Sequence, residues 1–252
     1  MIHQFSVSPD FPPERIPGWY IFNTWLQRQL DQAFHLELHD QFSSLRRAIR
    51  ENRLDLVYAN PFDAALLVRE KGFQALVRPA NRFDETIVLN AATHPLEHIE
   101  ALPPGTRIAA TDVPDVEMMG MILIEPADLG PGNTELLRCD STIAVAKALI
   151  RGEADIGFVL ADAFDQFSTP VKKQLRPLVR SQIQVVHHSL MASPRLLEVC
   201  PDLVRLLEAM PTTEQGRGVL EALNFEAWTS LGDEDTEFMI DLMDTLLIRE
   251  NH

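Results

Sequence analysis

The chain has 252 residues, 46% of them hydrophobic, and a formal charge of −15 at pH 7. Such a length and apolar content supply real cores for one large domain or two lobes of ordinary size, so the chain is globular. The charge argues against nucleic acid and anionic membrane surfaces as partners. Cys139 and Cys200 stand far apart with no Cys-x-x-Cys metal pattern.

In chain order, residues 5–8 read as a short strand whose carboxyl end runs into the loop Pro9-Asp10-Phe11-Pro12-Pro13. Residues 18–33 place Tyr20, Trp25, Leu26 and Leu30 at helical spacing, which packs one face on a sheet. Residues 36–39 alternate as a second strand, and Ser43 or Ser44 caps the helix that follows. Leu54-Asp-Leu-Val-Tyr58 is a buried strand closed by Asn60-Pro61, and residues 62–71 form a helix. Asn60 is the expected N-cap and Pro61 the first helical residue, where a missing amide costs least. A strand feeding straight into a helix start leaves backbone amides free at its carboxyl end, a ready place to hold a ligand. Strand and helix alternate three times, which predicts a parallel sheet covered on both faces.

Residues 73–79 and 84–91 are strands with no helix between them, so the pattern changes near Asn81-Arg82, the expected crossing into a second lobe. There, helices are expected over 94–102, 116–125 and 141–151, and strands over 106–111 and 135–138. Gly152-Glu-Ala-Asp-Ile-Gly-Phe-Val-Leu-Ala-Asp162 repeats the strand-to-helix construction, with 163–167 helical. Residues 182–191 read as one long strand crossing back, and 194–252 rejoin the first lobe with helices. Asp233-Glu-Asp235 precedes the last apolar helix, 238–248, where acidic residues favour a helix N-terminus. The expected fold is α/β with two lobes, 1–84 with 190–252 and 85–189, each a mostly parallel sheet with helices on both faces, and a ligand cleft between them. The N-terminus shows no secretory signal and no apolar run approaches about 18 residues. As written, the protein is expected in the cytoplasm, or in the periplasm if a signal has been removed.

Leu-Arg-Arg-Ala-Ile-Arg-Glu-Asn-Arg-Leu-Asp-Leu-Val-Tyr-Ala-Asn-Pro (45–61), Ala-Lys-Ala-Leu-Ile-Arg-Gly-Glu-Ala-Asp-Ile-Gly-Phe-Val (146–159) and Thr-Glu-Gln-Gly-Arg-Gly-Val-Leu-Glu-Ala-Leu-Asn-Phe-Glu-Ala-Trp (213–228) are the decisive stretches. Over nearly its whole length the chain resembles the phosphate/phosphite/phosphonate substrate-binding proteins of ABC transporters, which have the type II periplasmic-binding-protein fold. The resemblance implies a hinged clamp without chemistry that holds a small solute and is read by a membrane permease. It places Tyr58 and Asn60 where the family contacts its anion, although Tyr58 also reads as a core residue.

After the second lobe's first strand the family carries a Ser/Thr-rich turn. This chain has Thr111-Asp112-Val113-Pro114-Asp115-Val116-Glu117, and three desolvated, unpaired carboxylates would repel a phosphonate. The turn suits a neutral or cationic ligand instead. Asp140-Ser141-Thr142 keeps hydroxyl donors, with Asp140 readable as an N-cap, and Leu160-Ala161-Asp162 has Leu where a polar contact is frequent. The candidate ligand residues are thus Tyr58, Asn60, Arg82, Asp112, Asp115, Ser141, Thr142 and Asp162, with Arg82 at the mouth pairing Asp112 or Asp115 or a ligand carboxylate.

His94-Pro-Leu-Glu-His98 matches the H-x-x-E-H zinc pattern, but Pro95 at the first helical position makes His94 an N-cap off the helical register. His187 and His188 lie on a strand, where at most one faces inward. Met118, Met119 and Met121 read as core fillers. No catalytic residue, cofactor or metal is expected. The expected partners are a small polar ligand and a permease or another protein, with a homodimer as one form of the latter. Two alternatives stand beside solute binding: a scaffold that has kept the fold and lost its ligand, and a cofactor-biosynthesis enzyme on the same fold, which needs a titratable pair such as Asp112, Asp115 or Glu117.

Overall fold

Short apolar runs alternate with helical segments through most of the sequence, and most of these pairs become one strand and one covering helix. The computed structural model describes residues 2–11 and 13–250, with side chains described as far as Met243. The chain begins β1 (Ile2–Val7), α1 (Ile16–Leu30), β2 (Ala33–Leu38), α2 (Phe42–Arg50), β3 (Leu56–Ala59), α3 (Pro61–Lys71) and β4 (Gln74–Pro79). It continues with β5 (Thr86–Ala91), β6 (Thr106–Ala110), α4 (Pro114–Ile124), β7 (Thr134–Arg138), α5 (Thr142–Ile150), β8 (Ile156–Leu160), α6 (Ala161–Asp165), α7 (Thr169–Lys172) and β9 (Leu175–Arg180). It closes with β10 (Ser189–Ala192), α8 (Cys200–Glu208), α9 (Glu214–Leu223), β11 (Trp228–Ser230) and α10 (Asp233–Glu250). Two compact units result, one of residues up to Arg82 together with His187–Met243, the other of Phe83–Val186 together with the end of α10 from Asp244.

The first unit's sheet has the order β11-β4-β10-β3-β1-β2. β1 runs parallel to β2 and β3, while β10 lies antiparallel between β3 and β4, and β11 antiparallel to β4. β1, β2, β3 and β4 therefore share one direction. Under this sheet Trp19 of α1, 2% exposed, meets the rings of Phe5, Phe22, Tyr58 and Phe225. Large aromatic side chains at helical and strand spacing thus build one core between helix and sheet, with Leu190 and Trp228 closing it.

The second unit's sheet has the order β7-β6-β8-β5-β9, with β6 parallel to β7 and β8, and β5 antiparallel to β8 and β9. Neighbouring strand residues split between the two faces as the period of two requires. Ile87, Leu89, Ala109 and Val159 pack with α5, whereas Val88, Ile108, Ala110 and Phe158 pack with α4. Met121 joins the α4 core, and Met118 and Met119 are buried. Cys139 and Cys200 are both free.

The structure departs from the sequence reading at identifiable places. Residues 94–102 form no α-helix, only a single tight turn at Ile99–Ala101. The carbonyls a helix would use are taken elsewhere: Arg176 donates to His94 O and Leu96 O, and Asn90 Nδ2 to Leu96 O. The run 182–191 is a strand only over Ser189–Ala192, because the backbone turns left-handed at Gln184 (φ 55°), whose amide is held by Glu85 Oε1 at 2.7 Å. Gln41, not Ser43 or Ser44, is the α2 N-cap, and Ser141, not Asp140, caps α5. β9 and β11 were not expected at all.

Candidate functional site

At the carboxyl edge of the first unit's sheet β1 and β3 end and the antiparallel β10 begins. Val7 of β1 pairs with Tyr58 of β3, and the next amide, Ser8 N, donates to Tyr58 O at 2.8 Å. Beyond that bond the two strands part, β1 into the loop carrying Asp10 and β3 through Asn60 into α3. Ser189 of the antiparallel β10 faces Ala59, which brings His188 to the same edge. This is where open α/β sheets hold their ligands.

Asn60 is the α3 N-cap as expected: its Oδ1 accepts from Asp63 N at 2.7 Å, and Pro61 opens the helix. Asn60→Ala removes that cap at a fully buried position and is expected to cost about 1–2 kcal/mol, read as a lower urea midpoint at unchanged slope.

His188 Nε2 lies 3.0 Å from Asp10 Oδ2, and the two side chains are 13% and 7% exposed. The His188 ring stacks on Tyr58 at 5.3 Å and 23°. Burial pushes the Asp10 carboxyl up, but the His188 charge and hydrogen bond outweigh it and hold the group below the usual carboxylate range. Asp63, with no exposed side-chain surface, accepts from Arg46 Nε at 2.6 Å. Its balance is the reverse: burial raises the carboxyl further than Arg46 lowers it. The Arg46 guanidinium is itself fixed over the rings of Phe42 and Phe62, at 5.1 and 4.5 Å.

Five buried polar atoms at this edge have no hydrogen-bond partner among the described residues. Asp10 Oδ1 and Asp63 Oδ2 are acceptors, Asn60 Nδ2 and Arg46 Nη2 are donors, and the Ser8 hydroxyl can act as either. Each such atom costs about 1–3 kcal/mol when left dry and unmet. The edge is therefore chemically incomplete in both senses, wanting donors and acceptors together.

The other expected contacts are placed as follows. Tyr58 is 6% exposed, walled by Trp19, Phe225 and Trp228, so it is a core residue that also backs His188. Arg82 donates to Asn224 O at 3.3 Å and lies over the Phe225 ring. In the second unit Asp112 is exposed in the loop before α4, and Asp115, 2% exposed, sits in the first turn of α4. Glu117 forms an ion pair with Arg138, which also donates to Thr111 O. The acidic turn thus does not present three unpaired carboxylates, and the repulsion expected of it toward phosphate-type anions loses its premise. Ser141 is exposed and its Oγ accepts from Ala144 N at 3.2 Å; Thr142 and Asp162 are half-buried at the starts of α5 and α6.

His94-Pro-Leu-Glu-His98 is not helical, and His94 Nε2 faces an Asp155 already held by Arg107 at 2.7 Å. Among the described residues no three His, Cys, Asp or Glu side chains are grouped to hold a metal ion. Asp10, Arg46 and Asp63 were missed in the sequence, and His188 was set aside. Two signals could have found them: Asp63 stands three residues after its N-cap Asn60, the spacing of a capping box, and Asp10 stands three residues beyond the end of β1.

A family model of the phosphonate periplasmic substrate-binding proteins of ABC transporters matches residues 5–236. The chain belongs to that family. No curated protein sequence matches it. Among solved structures it is similar to XAC2383 from Xanthomonas citri bound to chloride, at 13% identity with 99% of this chain and 98% of that one covered and a TM-score of 0.83. It is similar to PhnD1 from Prochlorococcus marinus in complex with methylphosphonate, at 12% identity, 97% and 98% coverage and a TM-score of 0.82. A binding protein component of an ABC phosphonate transporter from Pseudomonas aeruginosa gives 12% identity, 99% and 86% coverage and a TM-score of 0.78. At these identities the structures establish the shared type II periplasmic-binding-protein fold. As a family member the chain is a solute-binding protein that works with a membrane permease, not an enzyme. The family is periplasmic, which leaves the cytoplasmic expectation unsupported, and no helix among the described residues is long and apolar enough to cross a membrane.

Proposed function

We propose that this family member captures a small zwitterion, with an ammonium group and an anionic group such as a phosphonate, sulfonate or carboxylate, in the periplasm. The unpartnered atoms at the β1–β3 edge carry this reading. Asp10 Oδ1 and Asp63 Oδ2 accept from the ammonium, and Arg46 Nη2 and Asn60 Nδ2 donate to the anion. Tyr58 and His188 form the wall behind them. A simple anion would satisfy the donors and leave two buried carboxylate oxygens unmet, and a simple cation would do the reverse.

Thermal unfolding with and without 2-aminoethylphosphonate, ethylphosphonate, glycine and inorganic phosphate tests it. A matching zwitterion at about a hundred times its Kd adds about 2.7 kcal/mol, or roughly 5–10 °C for a chain of this size. The expected result is a shift with an amino-bearing anion that ethylphosphonate and phosphate do not give. Equal shifts with ethylphosphonate and its amino analogue would overturn the zwitterion, and no shift with any compound would favour the scaffold alternative. Native mass spectrometry of the same sample reads a retained solute and, by a doubled mass, a homodimer.

A further inference from the structure

Glycine is the least favourable helix-interior residue short of proline, so each helical glycine asks for a reason. Gly18, Gly120 and Gly216 have one, since an added Cβ would lie 2.3 Å from Ala222 O, 2.4 Å from the Phe158 ring and 2.1 Å from Met210 O. Gly218, in the middle of α9, has none: a Cβ there would meet nothing within 4 Å. The space it leaves is part of a groove of about 460 Å³ between α1 and α9, lined chiefly by Tyr20, Ile21, Trp25, Arg28, Gly218 and Val219. That volume is typical of small-ligand sites, roughly 300–1,000 Å³.

The geometry follows from the packing. α1 and α9 are pinned together where Gly18 meets Ala222, and the groove opens further along both helices. Its walls hold Tyr20 and Ile21, 52% and 47% exposed, with Trp25 and Val219 deeper. Arg28, in the last turn of α1, is the cation of the lining, and no carboxylate among the described residues pairs with it. Thr24 Oγ1 is already committed to Tyr20 O at 2.9 Å. In a chain of charge −15, an unpaired arginine at the end of an apolar trough selects for an anion and against a cation.

We propose that the α1–α9 groove is a second binding site, for a small organic anion with an apolar body. The anionic end lies on Arg28, and the body lies against Trp25, Ile21 and Val219 over the bare backbone of Gly218. It shares no residue with the β1–β3 edge, so it stands or falls independently of the solute assigned there.

The probe is 1-anilinonaphthalene-8-sulfonate, an apolar aromatic anion whose fluorescence rises on burial, titrated into the native full chain. Saturable binding is expected. Gly218→Leu fills the trough and is expected to weaken it by roughly tenfold or more, since overpacked sites reject their occupant. Arg28→Gln is expected to weaken it by about threefold and to flatten its salt dependence, as an exposed ion pair does. Unchanged affinity in Gly218→Leu would overturn the proposal. Should that variant fail to fold, Gly218→Ala supplies the folded control and Arg28→Gln decides, with unchanged affinity and salt dependence overturning the anion site.

Discussion

Replacing Arg46 by Leu is expected to lower stability at pH 7 by about 3 kcal/mol, because it strands a buried carboxylate rather than trimming a surface charge. Asp63 has no exposed side-chain surface, and Arg46 Nε supplies its 2.6 Å bond. The loss should shrink as the pH falls. Asp63 is already raised in the folded chain by burial, so the folded state holds its proton more tightly than the unfolded state. Such a group adds stability below its unfolded value and gives it up as pH rises toward the folded one. Without Arg46 the folded value rises further and this window widens. Asp10 has the opposite sign: lowered overall against its burial by His188, it contributes stability above its unfolded value that is lost as pH falls through the folded one. Urea unfolding of the variant at pH 7 and pH 5 checks both the size and the slope, and a pH-independent loss under about 1 kcal/mol would contradict the account.

Gly18→Ala is the second large effect. The added methyl would sit 2.3 Å from Ala222 O and 2.8 Å from its carbonyl carbon, both backbone atoms of another helix that cannot rotate away. Alanine gains about 1 kcal/mol of helix propensity over glycine, yet separating α1 from α9 costs about 3 kcal/mol or more at the upper end of overpacking, for a net loss of about 2 kcal/mol. Calorimetry should show the midpoint fall by roughly 4–8 °C in a chain of this size. Gly218→Ala, four residues before Ala222 on the same helix and with open space around it, should show no fall. If both glycines behave alike, close packing is not what distinguishes them.

What the sequence revealed was the part encoded by local periodicity and capping. The α/β alternation, the β3–α3 step and the Asn60 cap were legible because each is written within about ten consecutive residues. The loss of helix at 94–102 was not, because it depends on Arg176 reaching carbonyls some eighty residues away. The shortening of the 182–191 strand depends likewise on Glu85 holding the Gln184 amide. The site divides the same way. Asn60 was visible through its neighbour Pro61, whereas Asp10, Arg46 and His188 join it only because β1, α2 and β10 meet at one edge. Glu117 looked like bare charge in sequence because Arg138, its partner, lies on the following strand.

The interposition of β10 has a consequence for how the polypeptide is made. β11 and β4 connect to β3, β1 and β2 only through Ser189–Ala192. While a ribosome is still producing the hundred or so residues before that segment, the first unit's sheet exists as separated fragments with the edges of Val57 and Val77 unclosed. The five strands of the second unit's sheet all lie within one stretch, Thr86 to Arg180, and can pair earlier. Domains that must wait for a distant strand fold late and expose sticky edges meanwhile. Pulse-labelled hydrogen exchange during refolding should therefore protect β6 and β8 before β3 and β4, and a chaperone holding the nascent chain would be needed longest over the stretch between Leu56 and Pro79.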